Sequence, residues 1–367
     1  MPFAFSRSMR HGVRLTIGLA VGVGILALLF HGTDIHSFCK ALREVHPGWL
    51  LLALLPIIIS FFTRVQRWTY IVRATHPDAL YGDLFAATQL GFMGNSILPA
   101  RLGEIIRALA LRRLSNVPFS QGVAFVALDR ITDIAGLMAT MLIAAPAFHP
   151  SSDIVLPTTS MGLGSDVTVP ASLLRTSALA FLILLTGILV VLAGLYANQK
   201  LVLHLCSGMA GLFSRRLAIF VETQLKYFAD GLHIFKSASA ITMSLLWSLI
   251  TWACFIASTA MFLQAFGITA PWFASFVIQA AIAVGISVPG TPGFIGQFQI
   301  PIVASITVLS PSTPHAHALA LALALHLINT ALVVASGIIC LYWKGFQWRE
   351  LTRRADNTGI GNPDSCP

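Results

Sequence analysis

Charged and amide side chains interrupt an otherwise apolar stretch at residues 91–107, GFMGNSILPARLGEIIR. Pro99 disfavours helix at the residue before it and favours a new helix that begins there. In that helix Arg101, Glu104 and Arg107 share one face, and Glu104 can pair with either arginine. Guanidinium groups beside a helix N-terminus favour the binding of phosphate. Two uncharged polar side chains, Asn95 and Ser96, lie just before this helix in the sequence. The alternative is a helix at the membrane surface whose arginines contact lipid phosphates.

A second set of charged residues lies within the apolar segment 127–140, ALDRITDIAGLMAT. Asp129 and Asp133 are one helical turn apart, and Arg130 reaches Asp133 at i+3. Carboxylates inside a membrane must be paired or line a hydrated cavity, so this face is expected to contact protein or water. Two roles stay open: a structural ion pair to the Arg101/Arg107 helix, or a pairing that rearranges during transport.

The third motif, SVPGTPGFIGQFQ at 287–299, is dense in proline and glycine. Pro292 and Gly293 favour a break in the helix where backbone can approach a ligand, and Gln297 follows. His326 lies in the last apolar segment, where it is either a packing residue or a proton relay.

The composition identifies the class of protein. The chain has 367 residues, 56% hydrophobic and 10% charged, with a mean hydropathy of +0.81. This favours an all-α polytopic membrane protein. The net charge of +9 comes from basic residues beside apolar runs, which indicates cytoplasmic loops rather than a nucleic-acid partner. The five cysteines stand singly, so we expect no disulfide, metal site or cofactor.

Six full spans and two broken regions are predicted along the chain. The spans are 14–31, 48–65, 119–147, 172–197, 239–266 and 315–343, and the broken regions are 83–114 and 272–310. The apolar run 14–31 is expected to be a retained first span rather than a cleaved signal peptide. The distribution of Lys and Arg places 149–171 outside, and 198–237 and both termini in the cytoplasm. Parity then makes the broken regions two oppositely oriented re-entrant helical hairpins.

An internal repeat agrees with that arrangement. PARLGE (99–104) and PGFIGQ (292–297) share one pattern, and the order span, span, hairpin, span occurs twice. The prediction is a single transmembrane domain over 1–367. It contains a first inverted half at 14–147, a second inverted half at 172–343 and a cytoplasmic tail at 344–367.

Three segments resemble a known family: NSILPARLGEIIRAL, LDRITDIAGL and VPGTPGFIGQFQ. They are similar to the signatures of the flippase-like membrane family named after the transmembrane region of lysylphosphatidylglycerol synthase, over about residues 15 to 343. At two positions where the family usually has Glu, this chain has Asp129 and Gln297. The resemblance implies that the synthase reaction belongs to a separate soluble aminoacyl-transferase domain. Because only 344–367 follow the last predicted span, we expect the membrane part alone.

The expected function is movement of an anionic phospholipid, glycolipid or polyprenyl-phosphate-linked lipid across a bacterial plasma (inner) membrane. An ion gradient would drive it, or the lipid would simply equilibrate. The expected substrate-binding residues are Asn95, Ser96, Arg101, Glu104, Arg107, Pro292, Gly293 and Gln297. The expected gating or ion-pair residues are Asp129, Arg130, Asp133 and His326.

Two other functions stay open. The chain could be a membrane-embedded lipid-modifying enzyme that uses Glu104, Asp129 and Asp133, or an accessory subunit of an envelope-lipid synthase. A homo-oligomer, or association with envelope-lipid synthesis enzymes, is compatible with each.

Overall fold

The computed structural model describes residues 22–31, 33–98, 101–144, 238–287 and 291–346, with two short strands and isolated positions between 147 and 215. The helices in these ranges are α1 (Gly22–Phe30), α2 (Ile35–Arg43), α3 (Pro47–Arg73), α4 (Tyr81–Ile97), α5 (Gly103–Ser115), α6 (Phe119–Ala144), α7 (Ala238–Ala265), α8 (Ala274–Ser287), α9 (Gln299–Leu309) and α10 (His315–Trp343). The strands β1 (Ile154–Leu156) and β2 (Val167–Val169) pair antiparallel. The expected helical membrane class is confirmed, with this strand pair as an addition.

Helices α3 and α7 pair antiparallel along their whole length. At one end the His46 amide donates to the Ala265 carbonyl at 2.8 Å, and near the middle the hydroxyls of Thr63 and Thr251 lie 2.8 Å apart. Ser258 donates to the carbonyl of Ala53, whose small side chain is fully buried. Small residues and interhelical hydrogen bonds are the usual means of joining helices in lipid.

Four helices are long and apolar enough to cross a membrane: α3, α7, α10 and the segment Pro292–Leu309 that contains α9. Helices α1 and α2 form a fifth candidate span, bent by 94° between them. Helix α6 is 26 residues long but carries three charged residues, which exclude it from the apolar set. The predicted span at 172–197 falls almost entirely outside the described residues, as does Pro99. The count of six spans therefore stays a prediction.

The first broken region forms two helices that fold back on each other at glycines. A Cβ on Gly103 of α5 would overlap the Gly91 carbonyl and the Asn95 side chain, so only glycine permits this approach. Helix α5 begins at Gly103 and not, as predicted, at Pro99. The reason lies in the backbone: Arg101 has a φ of +57°, which a continuous right-handed helix does not allow. Arg101 therefore precedes the helix, and Glu104 is in its first turn.

The second broken region has the same order of helix, turn and helix. Helix α8 ends at Ser287, a 3₁₀ turn occupies Pro292–Phe294, and α9 begins at Gln299. Gly293 has a φ of +70°, a left-handed conformation that glycine adopts without strain.

The two breaks meet each other. A Cβ built on Gly293 would lie 3.4 Å from the Ser96 carbonyl at the end of α4, and Arg101 donates to the Ile286 carbonyl at the end of α8.

Each broken region packs in its own apolar cluster. One cluster contains Leu84 of α4, Ile106 of α5 and Phe125 of α6, all fully buried. The other contains Ile278 of α8 and Ile302 of α9, also fully buried, with the first half of α10. Helices α3 and α10 contribute to both clusters, so they join the two parts.

Candidate ligand-binding site

A buried aspartate on α6 joins three helices. Asp129 accepts from Arg67 Nε of α3 at 2.8 Å and from Arg107 Nη1 of α5 at 2.6 Å. All three side chains are at most 3% exposed. Such a group is stable in a low-dielectric interior only when charges are matched and hydrogen-bonded. We call Arg67, Arg107 and Asp129 the inner layer.

Aromatic and hydroxyl groups hold the arginines of the inner layer in place. The Arg107 guanidinium stacks 3.7 Å from the ring centroid of Trp68, a cation–π contact. Arg67 Nη1 also donates to Asp133 at 2.6 Å and to the Ser248 hydroxyl of α7 at 3.1 Å. The same Ser248 hydroxyl donates to the carbonyl of Thr132 in α6, so α7 also fixes the layer.

A second set of charges, Glu104, Arg130 and Asp133, is partly exposed, and we call it the outer layer. Arg130 Nε donates to Glu104 at 2.9 Å, and Arg130 Nη1 lies 3.9 Å from Asp133. Their side chains are 31%, 32% and 24% exposed, so a ligand can reach them. The predicted pairing of Glu104 with an arginine of its own segment is wrong: the partner is Arg130 of α6, because Arg101 lies outside the helix and Arg107 is bound to Asp129.

Two further arginines of the site form no ion pair with a carboxylate of the described residues. Arg101 donates through Nη2 to the Ile286 carbonyl, and its Nε is buried without a hydrogen-bond partner. The guanidinium of Arg64 in α3 lies 4.5 Å from the ring centroids of both Phe92 and Phe255.

The sequence analysis missed Arg64 and Arg67 because it ended the span at residue 65, where basic residues are routine. Their i, i+3 spacing on one helix face, beside Trp68, was the available signal.

The uncharged predicted residues lie at the junction of the two breaks. The Ser96 hydroxyl donates to the Phe92 carbonyl within α4, and Asn95 Oδ1 is buried without a hydrogen-bond partner among the described residues. Gln297 donates to the Gly285 carbonyl at 3.3 Å. Pro292 is buried at the start of the 3₁₀ turn, and Gly293 faces α4.

His326 of α10, grouped above with the charges of α6, hydrogen-bonds instead to the second break. Its Nε2 lies 2.8 Å from the Gly293 carbonyl, which can only accept, so Nε2 carries the proton. Nδ1 then accepts from Gln299 Nε2 at 2.7 Å, and Gln299 Oε1 accepts from the Gly296 amide. Phe298 stacks on the imidazole at 4.8 Å. This geometry fixes a neutral imidazole that positions the turn.

Taken together, the described site has an excess of positive charge. Five arginines meet three carboxylates: Arg64, Arg67, Arg101, Arg107 and Arg130 against Glu104, Asp129 and Asp133. The surplus suits an anion, and planar guanidinium groups suit phosphate or carboxylate. Within the same described ranges no group of three His, Cys, Asp or Glu side chains is arranged to hold a metal ion.

Comparison with known proteins gives two curated relatives. Glycosyltransferase AglD of Haloferax volcanii is 26% identical over 345 residues, which are 89% of this chain and 54% of the relative. A UPF0104 membrane protein of Methanocaldococcus jannaschii is 27% identical over 114 residues, 30% of this chain and 33% of the relative. This chain thus spans about half the length of the first relative, and the matched region covers a third of the second.

The family match covers most of the chain and includes all the elements described above except the end of α10. The family model described as the lysylphosphatidylglycerol synthase TM region matches residues 15–337. With its apolar helices, the chain is therefore a multi-pass membrane protein, and it belongs to the lysylphosphatidylglycerol synthase TM region family.

Proposed function

We propose that this protein moves an anionic lipid between the two leaflets of a membrane. The observation that carries the proposal is the surplus of arginine over carboxylate among α3, α5 and α6, with Arg101 at the contact between the two broken regions. A positive surplus within a membrane domain is unfavourable unless an anion neutralises it for part of the time. The ligand's phosphate would supply that charge.

The two layers have different roles in this proposal. Arg130 of the outer layer, together with Arg101, contacts the headgroup because these side chains are partly exposed. Arg107 belongs to the inner layer, so its part is to hold α5 against α3 and α6. Glu104 and Asp133 compete with the phosphate for Arg130, which lets the ion pairs exchange as the lipid enters and leaves.

An inverted repeat would give this site access from both sides of the membrane. Helix order supports it: α3, α4, α5 and α6 begin at Pro47, Tyr81, Gly103 and Phe119, and α7, α8, α9 and α10 begin at Ala238, Ala274, Gln299 and His315. The first residues of α3 and α7, and likewise of the other three pairs in order, are separated in sequence by about as many residues as separate PARLGE from PGFIGQ. Helices related in this way commonly place a transport site at the interface of the halves.

Reconstitution into liposomes tests the proposal. Leaflet exchange of fluorescent phosphatidylglycerol, a polyprenyl phosphate and phosphatidylcholine is followed by quenching of the outer leaflet, with and without a proton or sodium gradient. Parent protein is compared with Arg101→Gln and Glu104→Gln. Arg112→Gln serves as the matched control, because Arg112 is an exposed arginine of α5 that contributes to neither layer.

We expect the parent to exchange an anionic lipid, and both site variants to do so about tenfold more slowly. That is the effect of losing one charge-assisted contact of about 1.4 kcal/mol in the transport barrier. The Arg112→Gln control retains the parent rate. Equal rates in all four proteins and in empty vesicles, across the whole lipid panel, would refute lipid transport.

The AglD relative is named a glycosyltransferase, which favours one other candidate, a lipid-modifying enzyme. The partly exposed carboxylates Glu104 and Asp133 are the groups that could act as acid or base there. Headgroup turnover in the same vesicles, measured by mass spectrometry with and without divalent metal, separates the two candidates. Product formation that stops in Asp133→Asn would favour the enzyme. Obligate co-purification with a synthase, with neither activity alone, would favour an accessory subunit.

A further inference from the structure

Arg64 differs from the other arginines of the site in its contacts. Arg67, Arg107 and Arg130 each have a carboxylate within 3 Å, and Arg101 donates to a backbone carbonyl. The side chain of Arg64 makes no hydrogen bond or ion pair with any described residue, and it is only partly buried.

Two phenyl rings determine which part of Arg64 stays available. The Arg64 guanidinium carbon lies 4.5 Å from the ring centroid of Phe92 of α4 and 4.5 Å from that of Phe255 of α7. Cation–π contacts of this kind hold a guanidinium without using its N–H donors, which lie in the plane of the group. A guanidinium held in this way keeps its fork of donors ordered without any hydrogen bond to protein.

The position of Arg64 relates it to the proposed ligand. It lies one helical turn before Arg67 on α3, and Asp133 and Arg130 of the outer layer are within its electrostatic range. Asp133 is already bound to Arg67 at 2.6 Å, so the charge of Arg64 is not neutralised by a direct ion pair. An anion that reaches the outer layer would neutralise the charge of Arg64.

We propose that Arg64 is the arginine that binds the ligand's phosphate through its guanidinium edge, while Arg67 and Arg107 are positioning residues. This rests on the proposed function and assigns a residue that neither the sequence motifs nor the family signatures mark. Two parallel N–H donors match two phosphate oxygens, so binding is bidentate. The shared chemistry is a phosphate group, whether it belongs to a lipid or is free in solution.

Binding titrations on the purified full chain test this assignment. Three probes are used: dihexanoyl phosphatidic acid below its micelle concentration, dihexanoyl phosphatidylcholine as the zwitterionic comparison, and inorganic phosphate. The proteins are the parent, Arg64→Gln, Arg64→Lys and the exposed control Arg112→Gln. Calorimetry gives each dissociation constant, and size exclusion with thermal unfolding checks the fold.

Arg64→Gln is expected to bind phosphatidic acid about tenfold more weakly, since one charge-assisted contact is lost, and to bind phosphatidylcholine within about twofold of the parent. Arg64→Lys keeps the charge without the planar fork and loses about threefold. Arg112→Gln matches the parent. If inorganic phosphate competes with phosphatidic acid in the parent but not in Arg64→Gln, the site binds free phosphate. If inorganic phosphate does not compete, the site binds a lipid headgroup. Both results support the assignment.

Unchanged affinity for phosphatidic acid in Arg64→Gln overturns the assignment, and so does an equal loss for both lipids, which marks a structural role. If Arg64→Gln does not fold, unchanged affinity in Arg64→Lys overturns it. If the parent and Arg64→Gln bind and move anionic lipid equally well, only this inference is refuted. A parent that neither binds nor moves any probe refutes the proposed function.

Discussion

At the scale of single residues, burial divides the ion pairs into two kinds. Asp129 is 1% exposed and receives hydrogen bonds from two arginines, whereas Glu104 is 31% exposed and receives one. Removing one partner of a buried pair leaves an uncompensated charge, and removing one partner of an exposed pair leaves a charge that water can solvate. Asp129 is therefore a stability residue, and Glu104 can be changed with the fold retained.

Asp129→Asn and Glu104→Gln test this division, because each removes one negative charge from an arginine pair. Asp129→Asn leaves Arg107 without a carboxylate and is expected to lower the free energy of unfolding by about 3–5 kcal/mol. Glu104→Gln is expected to lower it by about 0.2–1 kcal/mol. Denaturant unfolding in detergent micelles measures both. Losses of similar size would contradict the separation into layers.

How much of the site could be predicted depends on local spacing. The pairing of Arg130 with Asp133 follows from i, i+3 geometry within one helix, and the structure has it at 3.9 Å. One partner of Asp129, Arg107, lies on the helix with which an ion pair was considered, whereas the other, Arg67, lies on α3, and nothing in the residues near Asp129 specifies it. Arg67 was missed for this reason. Helix α3 continues to Arg73, beyond the predicted end of the span at residue 65, so a residue expected at the membrane edge lies in the interior.

At the scale of helices, the broken regions depend on close approach at glycines. In the first region α4 and α5 cross where Gly91, Gly94 and Gly103 face one another. Any side chain there would separate the helices and move Arg107 away from Asp129. The crossing therefore sets the geometry of the inner layer as well as the packing.

Gly103→Ala is expected to destabilise the protein by about 1–3 kcal/mol, the usual effect of overpacking, because its Cβ would overlap the Gly91 carbonyl. Gly24→Ala is the matched control: Gly24 lies in α1 with no atom within 4 Å of the added Cβ, and alanine favours helix. Thermal unfolding of both variants in detergent measures the difference. A Gly103→Ala protein as stable as the control would contradict a rigid crossing.

The sequence predicts the existence of these broken helices better than their ends. Prolines and glycines at 91–107 and 287–299 mark both breaks, and the structure has a break at each. Helix α5 nevertheless begins at Gly103 because Arg101 takes a positive φ, a conformation that its residue type does not announce. The contact between the two breaks joins residues far apart in the chain, so only the folded structure reveals it.

At the scale of the whole molecule, the two sets of four helices resemble each other in order but not in charge. The first set carries Glu104, Asp129 and Asp133 with their arginines. In the second set His326 and Gln299 make a neutral hydrogen-bonded cluster instead. If the sets are inverted copies, the charged wall and the neutral wall of the site come from opposite sides of the membrane. Such asymmetry would let one half bind the headgroup, while the other half provides an uncharged surface along which the headgroup leaves the site.

The side from which each broken region enters the membrane is the last prediction. A re-entrant hairpin has both its flanking loops on one side, whereas a region that crosses fully has them on opposite sides. Single cysteines at exposed positions before α4 and at the start of α6 (Asp78→Cys and Ser120→Cys) report on the first region. Exposed positions before α8 and before α10 (Thr269→Cys and Ser312→Cys) report on the second.

Each cysteine is introduced into a chain whose five native cysteines are replaced by alanine, since Cys39 is itself exposed. Intact cells and inverted vesicles are treated with a membrane-impermeant maleimide. We expect residues 78 and 120 to react only from the cytoplasmic side, where basic loops are retained, and residues 269 and 312 only from the outside. Reaction of residues 78 and 120 from opposite sides would show that the first region spans the membrane. Because α3 and α7 run antiparallel, the number of crossings between α6 and α7 would then differ from the predicted one, and access to the arginines from both leaflets would need a different explanation.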